Sequence, residues 1–162
     1  ECEFLNSLCL FKVSPEASLD QSNTIKSVTE LQDFVNTHPD SKHVAEANRL
    51  IDESRAKLEE KDRNGAELYF KISEYHAAAV AFEQIIRKYP DSGLVDYYQF
   101  MMLKANYAYA NRSVPEKQEA RFSRVTADYA DFIRKYPKSS FRGEVERINS
   151  LSLASLKKIA EK

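Results

Sequence analysis

The stretch IIRKYPDSG, residues 85–93, returns almost letter for letter as FIRKYPKSS at 132–140, and more loosely as VNTHPDSK at 35–42. Each copy reads as a helix boundary. In FEQIIRKYP the apolar residues Phe82, Ile85, Ile86 and Tyr89 fall at helical spacing. Arg87 and Lys88 occupy the last turn, where positive charge complements the helix dipole. Tyr89 precedes Pro90, which disfavours the α conformation at Tyr89 and so ends the helix. Asp91 or Ser92 can then cap the next helix by accepting its free N–H groups. Arg134, Lys135, Tyr136, Pro137 and Ser139 repeat that logic. His38, Pro39, Asp40 and Ser41 do so with His in the aromatic slot.

The prolines of the three copies stand 51 apart (39 to 90) and 47 apart (90 to 137). Periods of this size point to stacked helical repeats carrying insertions. Working outward from the boundaries predicts seven helices: 1–13, 20–37, 41–73, 76–88, 93–111, 116–136 and 140–161. The loops SPEASLDQ and NRSVPEKQ each hold a proline suited to a loop or a first helical turn. In 41–73 the apolar stripe fades near EKDRNG, and Asn64-Gly65 is a possible C-cap; one long helix with a weak point at Gly65 is the preferred reading. Only 3 Gly and 5 Pro in 162 residues also favour long helices over many short strands.

Composition narrows the function classes. A net charge of -1 without a basic block lacks the footprint of a nucleic-acid binder. No apolar run approaches a membrane span. The chain begins with Glu1 rather than Met, as a processed product or a fragment does. Cys2 and Cys9 lie seven apart, roughly 10 Å along a helix, too far for a disulfide within it. They read as two buried thiols on one face. His38, His43 and His76 have no further metal ligands near them in sequence and read as solvated turn residues. No phosphate loop is present and no nucleophile has a His partner, so the expectations are no enzyme, no cofactor and no metal site.

In AELYFKISEYHAAAVAFEQIIRKYP, Ala66 stands three before Tyr69 and Ala78 four before Phe82, with Ile85 and Pro90 following. This is similar to the tetratricopeptide repeat, in which small residues let two antiparallel helices approach and aromatic residues fill the space they leave. On that reading Tyr69 and Phe82 are the fillers. Leu31 and Tyr129 occupy the Phe slot in the other two copies. The implied fold is an all-α, right-handed superhelix of helix pairs, one solenoid domain over 1–162. A truncated repeat covers 1–37, the long helix and a repeat cover 41–90, and a C-terminal repeat with its cap covers 91–162.

A narrower resemblance rests on HPDSKHVAEANRLIDESRAKLEEK and AELYFKISEY. These runs resemble the later repeats of the BamD family of outer-membrane β-barrel assembly lipoproteins, above all their Bacteroidetes forms. Many members carry Asn-Arg just before the aromatic that aligns with Phe82; here those positions are Val80 and Ala81, so a contact made by that Arg does not transfer. The resemblance implies a non-enzymatic periplasmic scaffold at the outer membrane, lipid-anchored outside this stretch. Its partners would be the barrel-forming subunit and unfolded outer-membrane protein segments, with no nucleic acid. Alternatives are an adaptor of another envelope system, Tol-Pal-like, or a DNA-uptake lipoprotein.

Any function then lies in surfaces. VDYYQFMMLKANYAYA, 95–110, is more apolar than one buried stripe requires. It is either a helix sandwiched between neighbours or one whose tyrosines line a groove. First helices of tetratricopeptide repeats line the concave face, so the candidate partner-binding residues are Tyr69, Tyr97, Tyr98, Lys104 and, just after that helix, Arg112. The last helix, with Phe141, Val145, Ile148, Leu156 and Ile159 on one side, is read as a terminal cap.

Overall fold

The computed structural model describes residues 1–161 and holds seven helices: α1 (Cys2–Lys12), α2 (Ser22–Thr37), α3 (Val44–Lys71), α4 (Tyr75–Lys88), α5 (Val95–Asn111), α6 (Pro115–Lys135) and α7 (Arg142–Ala160). No strand occurs among the described residues. The fold is all-α and tetratricopeptide-like. Each helix lies within three residues, at either end, of its predicted bounds. The chain forms two compact units, Glu1–Asn64 and Gly65–Lys162.

The three boundary phrases fold alike. His38, Tyr89 and Tyr136 close their helices at φ/ψ of -127/59°, -127/62° and -128/58°. That is the non-helical conformation the following proline imposes. Each donates its N–H four residues back, to Phe34, Ile85 and Phe132. The serines then act alike. Ser41, Ser92 and Ser139 donate their N–H groups to the carbonyls of His38, Tyr89 and Tyr136 at 3.0, 3.2 and 3.1 Å. Their Oγ atoms accept the N–H groups of His43, Leu94 and Phe141 at 3.3, 3.1 and 3.2 Å. The predicted cap is thus corrected. The hydroxyl secures the turn two residues on, while the N-cap residues Leu94 and Phe141 carry no side-chain cap.

Counting back from each proline aligns the second helices. Twelve residues back stand Ser27, Ala78 and Val125, all at 0% exposure. Five back stand Phe34, Ile85 and Phe132, all buried. Eight back, Leu31 and Phe82 are fully buried, but Tyr129 is only half-buried. In unit 1, Phe4, Leu31, Phe34, Ala47, Leu50 and Ile51 form the core. The Ser27 hydroxyl donates to the Ser7 carbonyl at 3.0 Å across the α1–α2 contact. The histidines of the first boundary are not merely solvated. His43 stacks on Phe4 with ring centres 4.5 Å apart, and His38 Nε2 lies 2.9 Å from a Glu3 carboxylate oxygen.

Both thiols correct the sequence reading: Cys2 and Cys9 are exposed. Phe4 and Ser7 are the residues that α1 buries. At 100° per residue, positions 2 and 9 fall on the opposite side of the helix.

In unit 2, α5 packs between α4 and α6, and α7 closes against α6 and α5. Tyr98, Leu103 and Ala105 are fully buried, and Val95 and Phe100–Met102 nearly so. The sandwiched reading of α5 accounts for these residues.

α3 runs unbroken through Gly65, where an added Cβ meets nothing within 4 Å. Its end is a Schellman turn: Glu74 N–H reaches the Tyr69 carbonyl at 2.9 Å, and Ser73 takes the left-handed conformation at φ 70°. Glycine is the usual residue there, because a Cβ in that conformation costs about 1 kcal/mol. Ser73→Gly is therefore expected to raise stability by about 1 kcal/mol. Gly65→Ala, which improves helix propensity in open space, should add about 0.5–1 kcal/mol. Urea titration measures both; a loss of stability at either position contradicts the corresponding assignment.

Candidate functional site

The Schellman turn places the end of α3 beside the start of α4. Phe70 and Tyr75 meet with ring centres 5.2 Å apart and planes inclined at 60°. The Tyr75 hydroxyl lies 3.4 Å from Ser73 Oγ. One face of α5 brings Lys104 and Tyr107 to the same place, and the C-cap of α5 brings Arg112. From α7 come Arg147 and the buried Ile148. Together they line a groove of about 320 Å³. The first helices of successive pairs, α3 and α5, and the closing helix α7 thus share one surface.

Two of the groove's cations are held by rings. Lys104 Nζ sits 5.5 Å from the ring centres of both Phe70 and Phe100. The Arg112 guanidinium carbon lies 4.7 Å from the Tyr75 ring centre. A cation over an aromatic face is attracted by the ring quadrupole yet keeps its N–H donors. Arg147 shares its charge with Glu144 at 2.9 Å. The surface offers apolar rings and fixed positive charge, a combination that fits a partner segment carrying both apolar and acidic side chains. Among the described residues no group of His, Cys, Asp and Glu is placed to hold a metal ion.

Of the five sequence candidates, the structure brings Lys104 and Arg112 together in this groove. Tyr98 is a correction. It is fully buried, stacked on Phe82 at 6.4 Å, and belongs to the core. Tyr97 is half-buried, its hydroxyl donating to Glu67 Oε1 at 2.8 Å and its ring 5.7 Å from that of Phe141. Tyr69 is 45% exposed and lies outside the groove lining. It therefore does not fill space between helices as the repeat pattern implied; Phe82 does. Sequence reasoning missed Phe70, Tyr75 and Arg147. Phe70 and Tyr75 flank the turn KISE, and their pairing depends on a left-handed Ser, for which the sequence carries no glycine signal.

Two comparisons with known proteins bear on the family. The model of the YfiO family, described as an outer membrane lipoprotein, matches residues 1–108 and, in an overlapping second match, 68–157. The outer membrane protein assembly factor BamD of Helicobacter pylori is 33% identical over 79 residues, 48% of this chain. The match spans 34% of that relative's length.

A second concavity, of about 230 Å³, lies between α4, α5 and α6. Beside it the buried Asp128 accepts hydrogen bonds from Asn106 Nδ2 at 2.8 Å and Arg124 Nε at 2.9 Å. The partners shift differently. The hydrogen bond and charge of Asp128 push Arg124 up, strengthening its cationic form. Burial pushes the Asp128 carboxyl up, outweighing both hydrogen bonds and the Arg124 charge. The burial effect governs the pair, because the carboxyl is 8% exposed and the guanidinium 61%. A carboxyl whose folded pKa is raised contributes stability that is fully present below its ordinary value of 3.8 and lost as pH rises through the raised value. The stability of the native chain relative to Asp128→Asn should therefore fall as pH rises above about 4. Melting temperatures of both proteins across pH 3–8 test this; a native chain that gains on the variant as pH rises contradicts it.

Proposed function

The chain belongs to the YfiO family of outer membrane lipoproteins, and we propose that it serves outer-membrane protein assembly as a non-enzymatic docking element. The placement of Lys104 and Arg112 over aromatic rings in one groove carries this reading. Nothing in such a surface breaks or makes a covalent bond; it fixes a partner's position and orientation. The H. pylori relative, by its name an assembly factor, supports the same class of role. The partner is a periplasmic domain of the barrel-forming subunit, and the site of action is the periplasmic face of the outer membrane.

The recognition follows from the groove's chemistry. Rings desolvate an apolar partner residue, and the two cations select an acidic neighbour over a basic one. Lys104, half-buried between two rings, is the better-desolvated charge; Arg112, at the exposed rim, steers encounter. Tyr69, exposed on α3, extends the contact beyond the groove.

Arg112→Glu and Lys104→Glu should each weaken retention of the barrel-forming subunit's periplasmic domains by about tenfold or more. Both should leave the helical circular dichroism intact. Immobilised chain, washed over envelope extract and then titrated with the purified domains, makes the measurement. Recovery of no envelope protein, or native-like retention by both variants, sinks the proposal.

A further inference from the structure

The concavity between α4, α5 and α6 lies apart from the docking groove. On α5, Met102, Asn106 and Tyr109 line this cleft, whereas Lys104, Tyr107 and Asn111 line the groove. At 100° per residue these two sets lie on opposite faces of one helix. We propose that the cleft is a second binding site, which takes the carboxylate of an Asp or Glu side chain on an extended partner segment.

Two guanidinium groups make the case. Arg121 and Arg124 enter from α6 three residues apart, on one side of the helix. Each is fixed by the protein through one nitrogen. The Arg121 guanidinium carbon lies 3.8 Å from the Tyr109 ring centre, and one of its terminal nitrogens donates to Ser113 Oγ. Arg124 donates through Nε to Asp128 at 2.9 Å. The remaining guanidinium N–H groups of both have no partner among the described residues. Arginine forks held in place in this way lose little entropy on meeting a carboxylate, whose two oxygens they match.

Arg124 is paired with Asp128, so Arg121, held by a ring and a hydroxyl, carries the unpaired positive charge of the cleft. Asp128 is occupied by Asn106 and Arg124. Glu83, the acidic residue in the lining, is bonded to Arg87 at 2.7 Å, and its charge also acts on Arg124. His76 lines the cleft with its ring 4.9 Å from that of Tyr109. The opposite wall is apolar, formed by Ala79, Met102 and the 39% exposed Val80. About 230 Å³ is below the range of sites built for whole small-molecule ligands. It suits one side chain, and an Asp or Glu has the apolar stem and charged end the walls call for.

The probe is a blocked peptide, acetylated and amidated, with a single Glu between valines, titrated into the whole chain. Its Gln counterpart, acetate and inorganic phosphate are run beside it. The readouts are the nitrogen-15 Nε signals of Arg121 and Arg124 and the ring signals of Tyr109. The Glu peptide should move all three, and the Gln peptide should bind about tenfold more weakly. Arg121→Gln should weaken the Glu peptide by about the same factor while leaving retention at the docking groove unchanged. Val80→Glu, at an exposed position and so tolerated by the fold, should abolish binding by placing a carboxylate in the cleft. Equal binding of the Gln peptide, affinity for acetate or phosphate matching that of the Glu peptide, or shifts confined to Tyr107 and Lys104 would each overturn the proposal.

Discussion

A proline disfavours the α conformation at the residue before it, and that steric fact organises this protein. His38, Tyr89 and Tyr136 stop their helices at the same backbone angles, to within a few degrees. The serine two residues after each proline then makes the same pair of hydrogen bonds in every copy. Because the exit is fixed, the distances counted back from it acquire meaning. The residues twelve and five before each proline are buried in all three copies. The core follows from the turns as much as the turns from the core.

This is why the fold was readable from the sequence. Prolines, basic last turns and apolar spacing are local signals, and the helices they define are found. What required coordinates was the rotation of helices about their axes. Cys2 and Cys9 share a stripe, as expected, but it is the exposed one, since Phe4 and Ser7 set the buried side. Tyr97 and Tyr98 are adjacent letters with different fates, one half-buried and hydrogen-bonded to Glu67, the other fully enclosed. A helix apolar on most sides gives periodicity nothing to separate them by.

The candidate groove was half legible for a related reason. Lys104 and Arg112 could be named because a cation on or after an aromatic-rich helix stands out. Phe70 and Tyr75 could not be paired, because their meeting depends on a Ser in the left-handed conformation. Arg147 comes from α7, a helix whose default reading on sequence grounds is a terminal cap. The groove is assembled from residues up to 78 positions apart, Phe70 to Ile148. Such a collection has no sequence motif.

α5 presents one face to the groove and the opposite face to the cleft, yet its core residues Tyr98, Leu103 and Ala105 are entirely enclosed. A close-packed interior does not deform continuously; it needs a second discrete packing to move to. Linkage carried by a structural change needs a shared element with two arrangements. The enclosure of α5 therefore argues for an insulator: occupants of the two proposed sites would contribute their binding free energies independently of any movement of that helix.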